Sequence, residues 1–216
     1  VRPTTIYCIG LNYRQHAAES KLPLPKFPVV FMKAVTAVQN PDDPILLPRH
    51  LRSSEVDYEA ELAVVIGKQG KNIPREHALQ YVRGYTCAND VSARDWQHQW
   101  GGTQWCRGKT FDSFCPLGPW IVTADEIADP HDLPIRCTVN GQTMQLSNTD
   151  QLIFRIPELI EFLSHSFTLL PGDIILTGTP EGVVLGRPQK DWLVPGDEVI
   201  VEVENLGQLT NQMVAG

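Results

Sequence analysis

"EVDYEAELAVVIG", residues 55–67, carries two patterns at once. With a period of two, Val56, Tyr58, Ala60, Leu62, Val64 and Ile66 fall on one side of an extended chain, and Glu55, Asp57, Glu59 and Glu61 fall on the other. The usual meaning of such alternation is a half-buried strand with a solvated acidic face. Two details weigh against it. The polar side turns apolar at Ala63 and Val65, so the sheet is covered there and Glu61 stands at the mouth of the covered region. Adjacent carboxylates on one face also repel, and partial burial raises that cost unless a cation offsets it. The stretch therefore predicts a strand that delivers carboxylates to a metal ion.

Outward from this stretch, period-two segments recur as "TIYCIG", "PVVFMK", "PWIVT", "IRCTVNG", "DIILTG" and "DEVIVEVENLG", most of them bounded by Gly, Pro or Asn-Gly. Helical patterns are fewer and shorter: residues 12–20, residues 75–81 after Pro74, and residues 156–166, where Pro157 suits a first turn. The expected fold class is α+β, rich in strands. No repeat, low-complexity segment or charge run divides the chain, so residues 1–216 are expected to form one domain.

The composition narrows the function. No apolar run approaches the roughly 20 residues of a membrane span, and the first residues lack the order of a signal peptide, so a soluble protein is expected. The five cysteines (Cys8, Cys87, Cys106, Cys115, Cys137) are scattered, odd in number and without CxxC spacing, which favours a reducing compartment over a disulfide framework or a zinc site. The cytoplasm is expected, or a mitochondrion if a transit peptide preceded Val1. A net charge of -7 and a pI near 5.3, without a basic cluster, give no footprint for nucleic acid or anionic membrane. Small-molecule or protein partners fit better.

A further acidic group, Asp90, stands in "GYTCANDVSARD", residues 84–95, close to Arg94 and Asp95. Glu59, Glu61 and Asp90 offer three anionic oxygens, the hard donor set suited to Mg2+ or Mn2+. His77 and His98 lack ligand spacing to a second His or Cys and are read as surface residues or as neighbours of the ligands. In "RGKTFDSFCPLGPW", residues 107–120, Lys109 lies between a glycine and an aromatic, Pro-rich run. It is either a solvated lysine or an ammonium facing substrate or acidic ligands, and the residues alone leave both open.

Four motifs in order, "EVDYEAELAVVIG", "GYTCANDVSARDWQ", "GKTFDSFCPLGPW" and "PGDIILTGTPEGV", resemble the fumarylacetoacetate hydrolase family, especially its short single-domain members, over about residues 6–209. The resemblance implies mixed β-sheets rolled around a central cavity with peripheral helices, usually as a homodimer. It implies that Glu59, Glu61 and Asp90 bind Mg2+ or Mn2+, with Glu55 and Asp57 either solvated or placed behind the ligands. It also implies Lys109 near metal and substrate, Thr179 of the Gly178–Pro180 turn touching substrate oxygens, Gln97 as a polar substrate contact, and Arg94 beside the acidic ligands or substrate. Hydrolytic and decarboxylating members carry a His and a Glu three residues apart on a lid near the N-terminus. In "GLNYRQHAAES", residues 10–20, His16 and Glu19 have that spacing, which puts both on one helix face, and a lid is expected at about residues 12–26.

The chemistry so implied is formation of an enolate from a 2-oxo acid at the metal, assisted by Lys109. With an acylpyruvate, His16 oriented by Glu19 would activate a water and the central carbon–carbon bond would break. With oxaloacetate the same site would decarboxylate or tautomerise. Acylpyruvate hydrolysis is placed narrowly first, and a non-catalytic carboxylate-binding or interaction module is the reading from another class. Two departures limit transfer of a substrate from any relative. The sequence shows no counterpart of the additional N-terminal domain of the long fumarylacetoacetases, which points away from fumarylacetoacetate. Residues 183–195, "VVLGRPQKDWLVP", also form a longer connection than many short members have.

Overall fold

The computed structural model describes residues 3–216. Its strands, in chain order, are β1 (Ile6–Gly10), β2 (Val29–Lys33), β3 (Val38–Gln39), β4 (Ile45–Leu47), β5 (Val56–Asp57), β6 (Ala60–Ile66), β7 (Val82–Asn89), β8 (Ser92–Ala93), β9 (Cys115–Thr123), β10 (Pro134–Val139), β11 (Gln142–Asn148), β12 (Ile174–Leu176), β13 (Glu198–Val203) and β14 (Gly207–Ala215). The α-helices are α1 (Arg14–Glu19), α2 (Cys106–Lys109) and α3 (Ile156–Ser166). A seven-stranded mixed sheet runs β2-β1-β12-β6-β7-β9-β3, and a five-stranded sheet runs β11-β10-β13-β14-β4. The expected strand-rich α+β fold is what these sheets form.

Residues 55–67 are not one strand. The chain breaks at Tyr58 and Glu59, β5 pairs with β8 in a two-stranded ribbon, and β6 enters the middle of the large sheet between β12 and β7. Alternation survives in β6, but both of its faces are covered. Leu62, Val64 and Ile66 join the larger core, whereas Ala63 and Val65 join a second cluster with Ile6, Cys8, Phe31 and Leu176. Register then assembles the acids: Ala60 lies opposite Asn89, so Glu59 and Glu61 flank the end of β6 where β7 delivers Asp90. The Asp90 amide donates to Glu59 O at 2.9 Å and the Glu59 amide to Asn89 Oδ1 at 3.0 Å, which closes that junction.

Two of the three predicted helices are α-helical. The stretch predicted at 75–81 is a 3-10 helix, Arg75–Tyr81, tightened between Pro74 and the start of β7. α3 buries Ile156, Leu159, Ile160 and Leu163, each of which contributes roughly 1.5–3 kcal/mol when fully removed from water. α1 is short, and its entry is fixed by Asn12, whose Nδ2 donates to Thr177 O (2.7 Å) and Phe154 O (3.0 Å). The helix is thereby hung over the C-terminal end of β12. Among the described residues, no helix is long and apolar enough to cross a membrane.

Candidate active site

At the mouth of the β6–β7 junction, Glu59, Glu61 and Asp90 are all buried, and one oxygen from each lies within 4.8 Å of the others. Three cations surround them. Lys109 Nζ donates to Glu59 Oε2 (2.8 Å) and Asp90 Oδ2 (2.9 Å), Arg94 Nη1 meets Glu59 Oε1 at 2.7 Å, and Lys33 Nζ lies 2.5 Å from Asp90 Oδ1. Lys109 is buried at the end of the short helix α2, so the ammonium facing acidic groups is the alternative that the structure realises.

Asp57, open from sequence to being solvated or placed behind the ligands, is fully buried behind them. It receives Arg94 Nε at 2.9 Å. Glu55 is only partly covered. Among the described residues the tally is four carboxylates (Asp57, Glu59, Glu61, Asp90) against three cations (Lys33, Arg94, Lys109), and Glu61 is the acid left without an ion pair.

The electrostatics follow from that arrangement. Burial alone would raise the Glu59 carboxyl, but the Lys109 ammonium and the Arg94 guanidinium outweigh it and hold it at about 2. Burial, together with the Asp90 and Glu59 carboxylates, pushes the Glu61 carboxyl well up, although the Gly178 amide donates to its Oε2 at 2.7 Å. Burial disfavours the Lys109 ammonium, yet the Asp90 and Glu59 carboxylates keep its pKa above the usual value. A buried anionic centre with one uncompensated carboxylate and three convergent hard oxygens fits a divalent cation such as Mg2+ or Mn2+.

The centre opens into a cavity of about 290 Å³ lined by polar residues that include His16, Glu19, Glu59, Arg94, Gln97 and Lys109. Thr179 and His98 line it as well. Gln97 and His98 come from one wide π-helical turn, Trp96–Trp100, a geometry that often accompanies functional sites. Gln97 Oε1 accepts from Arg94 Nη1 at 2.9 Å, which leaves its NH2 group as the free donor. The Thr179 hydroxyl donates to Ala60 O at 3.0 Å and accepts from Gln145 Nε2 at 2.8 Å, so its proton is already engaged. His16 is buried on α1, with Nδ1 3.5 Å from Glu19 Oε2, longer than a hydrogen bond.

Every residue expected at the site is thus brought to this cavity or to the acidic cluster at its base. Lys33 escaped the sequence reading. Its one signal was a lysine closing the apolar strand "VVFMK", a position that ordinarily means a solvated strand end.

A family model described as "Fumarylacetoacetate (FAA) hydrolase C-terminal" matches residues 5–214. A Bos taurus protein named "Oxaloacetate tautomerase FAHD2A, mitochondrial" is 53% identical over 99% of the chain, which spans about two thirds (67%) of that relative. Among solved structures, 5-carboxymethyl-2-hydroxymuconate delta-isomerase from Mycobacterium smegmatis superposes with a TM-score of 0.87 at 44% identity, covering 100% of this chain and 80% of that one. Fumarylacetoacetate hydrolase from Exiguobacterium antarcticum gives a TM-score of 0.91 at 38% identity, covering 100% and 76%.

Proposed function

The chain belongs to the fumarylacetoacetate hydrolase family, and from that membership we propose that it is a divalent-cation-dependent tautomerase interconverting the keto and enol forms of oxaloacetate. One observation carries the reading: a single small cavity has a cation-ready acidic centre with Lys109 at its base and the His16–Glu19 pair in its wall. A substrate there meets positive charge at one end and a proton carrier at the other. The names of the bovine relative and of the mycobacterial isomerase favour proton transfer over the acylpyruvate hydrolysis that the motifs placed first. For compartment, the bovine name favours the mitochondrion over the cytoplasm.

In this reading Glu59, Glu61 and Asp90 would hold Mg2+ or Mn2+, which would supply Lewis-acid stabilisation of the negative charge that develops on the 2-oxo group. The remaining steps belong to the chain's own side chains. Lys109 adds its ammonium to the same field. The Gln97 NH2 group and the Thr179 amide orient the substrate carboxylates, since the Thr179 hydroxyl proton is held by Ala60 O. With a proton on His16 Nδ1 directed at Glu19, the Nε2 lone pair is free to take the C3 proton of the keto form. The C–H electron pair becomes the C2–C3 double bond, and the proton is returned to the C2 oxygen; the enol-to-keto direction reverses both transfers.

The experiment is a parallel assay of enol loss, carbon dioxide release from oxaloacetate, and acetylpyruvate cleavage, each with Mn2+ and with His16→Ala and Glu59→Ala. Enol–keto exchange that is lost in Glu59→Ala, with no carbon dioxide and no cleavage, is the expected result. Cleavage of acetylpyruvate dependent on both residues would return the hydrolase to first place. Absence of all three activities would favour the non-catalytic reading. The homodimer implied by the family is part of the proposal. It is supported by an exposed apolar furrow that includes Pro41, Leu117, Pro119, Trp120 and Ile121, and sedimentation velocity checks it.

A further inference from the structure

Asp57 is fully buried yet is not among the residues that line the cavity. Its carboxylate nevertheless gathers donors from two directions. From one side the Val184 amide donates to Oδ1 at 2.9 Å and the Leu185 amide to Oδ2 at 3.0 Å. From the other, Arg94 Nε donates to Oδ2 at 2.9 Å and Nη2 stands 2.8 Å away, while Nη1 of the same guanidinium holds Glu59. Asp57 thus joins the acidic centre to the segment 182–187.

That segment is in turn the wall against which α1 rests. The Gly182 amide donates to both carboxylate oxygens of Glu19 at 3.2 Å. Gly182 O accepts from Tyr58 Oη (2.9 Å) and Arg187 Nε (3.0 Å), which fixes the turn from behind. At Gly186 a Cβ would lie 2.2 Å from Glu19 Cδ, so the carboxylate sits directly on the bare backbone there. Polar contacts therefore run from Glu59 through Arg94 and Asp57 to the 184–185 amides, and the backbone of residues 182–185 carries the connection on to the Gly182 amide and Glu19. His16 lies beside Glu19 at its end.

We propose that Asp57 is a positioning residue: it holds residues 182–187 as a clasp that keeps α1 seated, and so presents His16 to the cavity. The inference rests on the tautomerase reading only for the consequence on turnover; the clasp itself is a statement about α1. Asp suits the position because two backbone amides and a guanidinium require two anionic oxygens at a fully buried place. Asparagine keeps only one of the two oxygens, so either the Val184 amide or the Leu185 amide together with Arg94 loses its acceptor. The clasp also accounts for a glycine at 186, where any side chain would lift Glu19 off its seat.

The test is hydrogen exchange of the amides that close α1 and the turn after it (Ala17, Ser20, Leu22) in Asp57→Asn and Gly186→Ala, together with Mn2+ binding followed by electron paramagnetic resonance and steady-state turnover of oxaloacetate. Gly186→Ala perturbs the Glu19 seat without entering the core, so it answers the question even if Asp57→Asn folds poorly. Expected are at least tenfold faster exchange in α1 in both variants, unchanged exchange in β6 and β7, retained Mn2+ binding, and a kcat lowered tenfold or more at nearly constant KM. Unchanged α1 protection in Gly186→Ala, or exchange in Asp57→Asn that rises equally in β6 and α1, would overturn the clasp. If α1 loosens while His16→Ala leaves turnover intact, the clasp stands and the role assigned to His16 falls.

Discussion

Lys33 is buried, with its ammonium 2.5 Å from Asp90 Oδ1 and donating to Val91 O and Lys109 O. It thus ties β2 to the backbone at the end of α2 and adds a second cation to Asp90, which shares Lys109 with Glu59. Removing one partner of a buried ion pair leaves the other charge stranded, at a cost of about 3–5 kcal/mol. Lys33→Met is therefore expected to lower unfolding free energy by about that amount in urea, with part of the loss recovered on adding Mn2+, because the cation restores charge to Asp90. A loss under about 1 kcal/mol would place Lys33 among ordinary surface lysines. Sequence could single out Glu59 and Glu61, because four carboxylates on one strand face conflict with burial, and Asp90 as the next acid, in the stretch 84–95. It had no comparable conflict at Lys33, since a terminal lysine on an apolar strand is normal when the strand end is wet.

Among the elements, α3 offers the clearest case of a helix end secured from outside. Pro157 stands in its first turn as the sequence anticipated, and the Glu158 carboxylate accepts from the Arg155 amide at 2.8 Å. The Ile156 amide, however, donates to His131 Nε2 at 3.2 Å, a partner 25 residues away that no local pattern announces. Burial lowers the His131 pKa, the nearby Asp129 carboxylate opposes this only in part, and a protonated ring would lose its acceptor nitrogen. The folded value therefore lies below the unfolded value of about 6.5. The unfolded chain takes up the proton first, so the contribution is complete above pH ~6.5 and is lost as pH falls through the depressed folded value. Melting in His131→Asn should respond less steeply to acid than in the native protein, the difference being at most about 1.4 kcal/mol per pH unit. Equal slopes in the two proteins would mean that the ring takes up its proton at the same pH folded and unfolded, so that burial does not shift it.

At the scale of the whole molecule, the site is the meeting of the β6–β7 junction, the end of β12, the short helix α2 and α1, and with its excess of one carboxylate a cation bound there would add to stability. Mn2+ at a hundred times its dissociation constant should add about 2.7 kcal/mol, seen as a rise in Tm of roughly 5–10 °C for a chain of this size. Glu61→Gln should abolish that rise and, in the absence of cation, melt no lower than the native protein, because it removes the carboxylate that burial and its acidic neighbours disfavour. A full Mn2+ shift in Glu61→Gln would exclude Glu61 as a ligand. By itself the sequence determined the strand-rich α+β class, the acids able to hold a hard cation, and the His–Glu spacing on one helix face, because periodicity and residue chemistry are local properties. Tertiary structure decided the break at Tyr58–Glu59, the burial of Asp57 and Lys33, and the seating of α1 on residues 182–187. Those depend on which segments 30 to 165 residues apart come to cover a given face, and a period of two states that a strand has two faces without stating what lies on either.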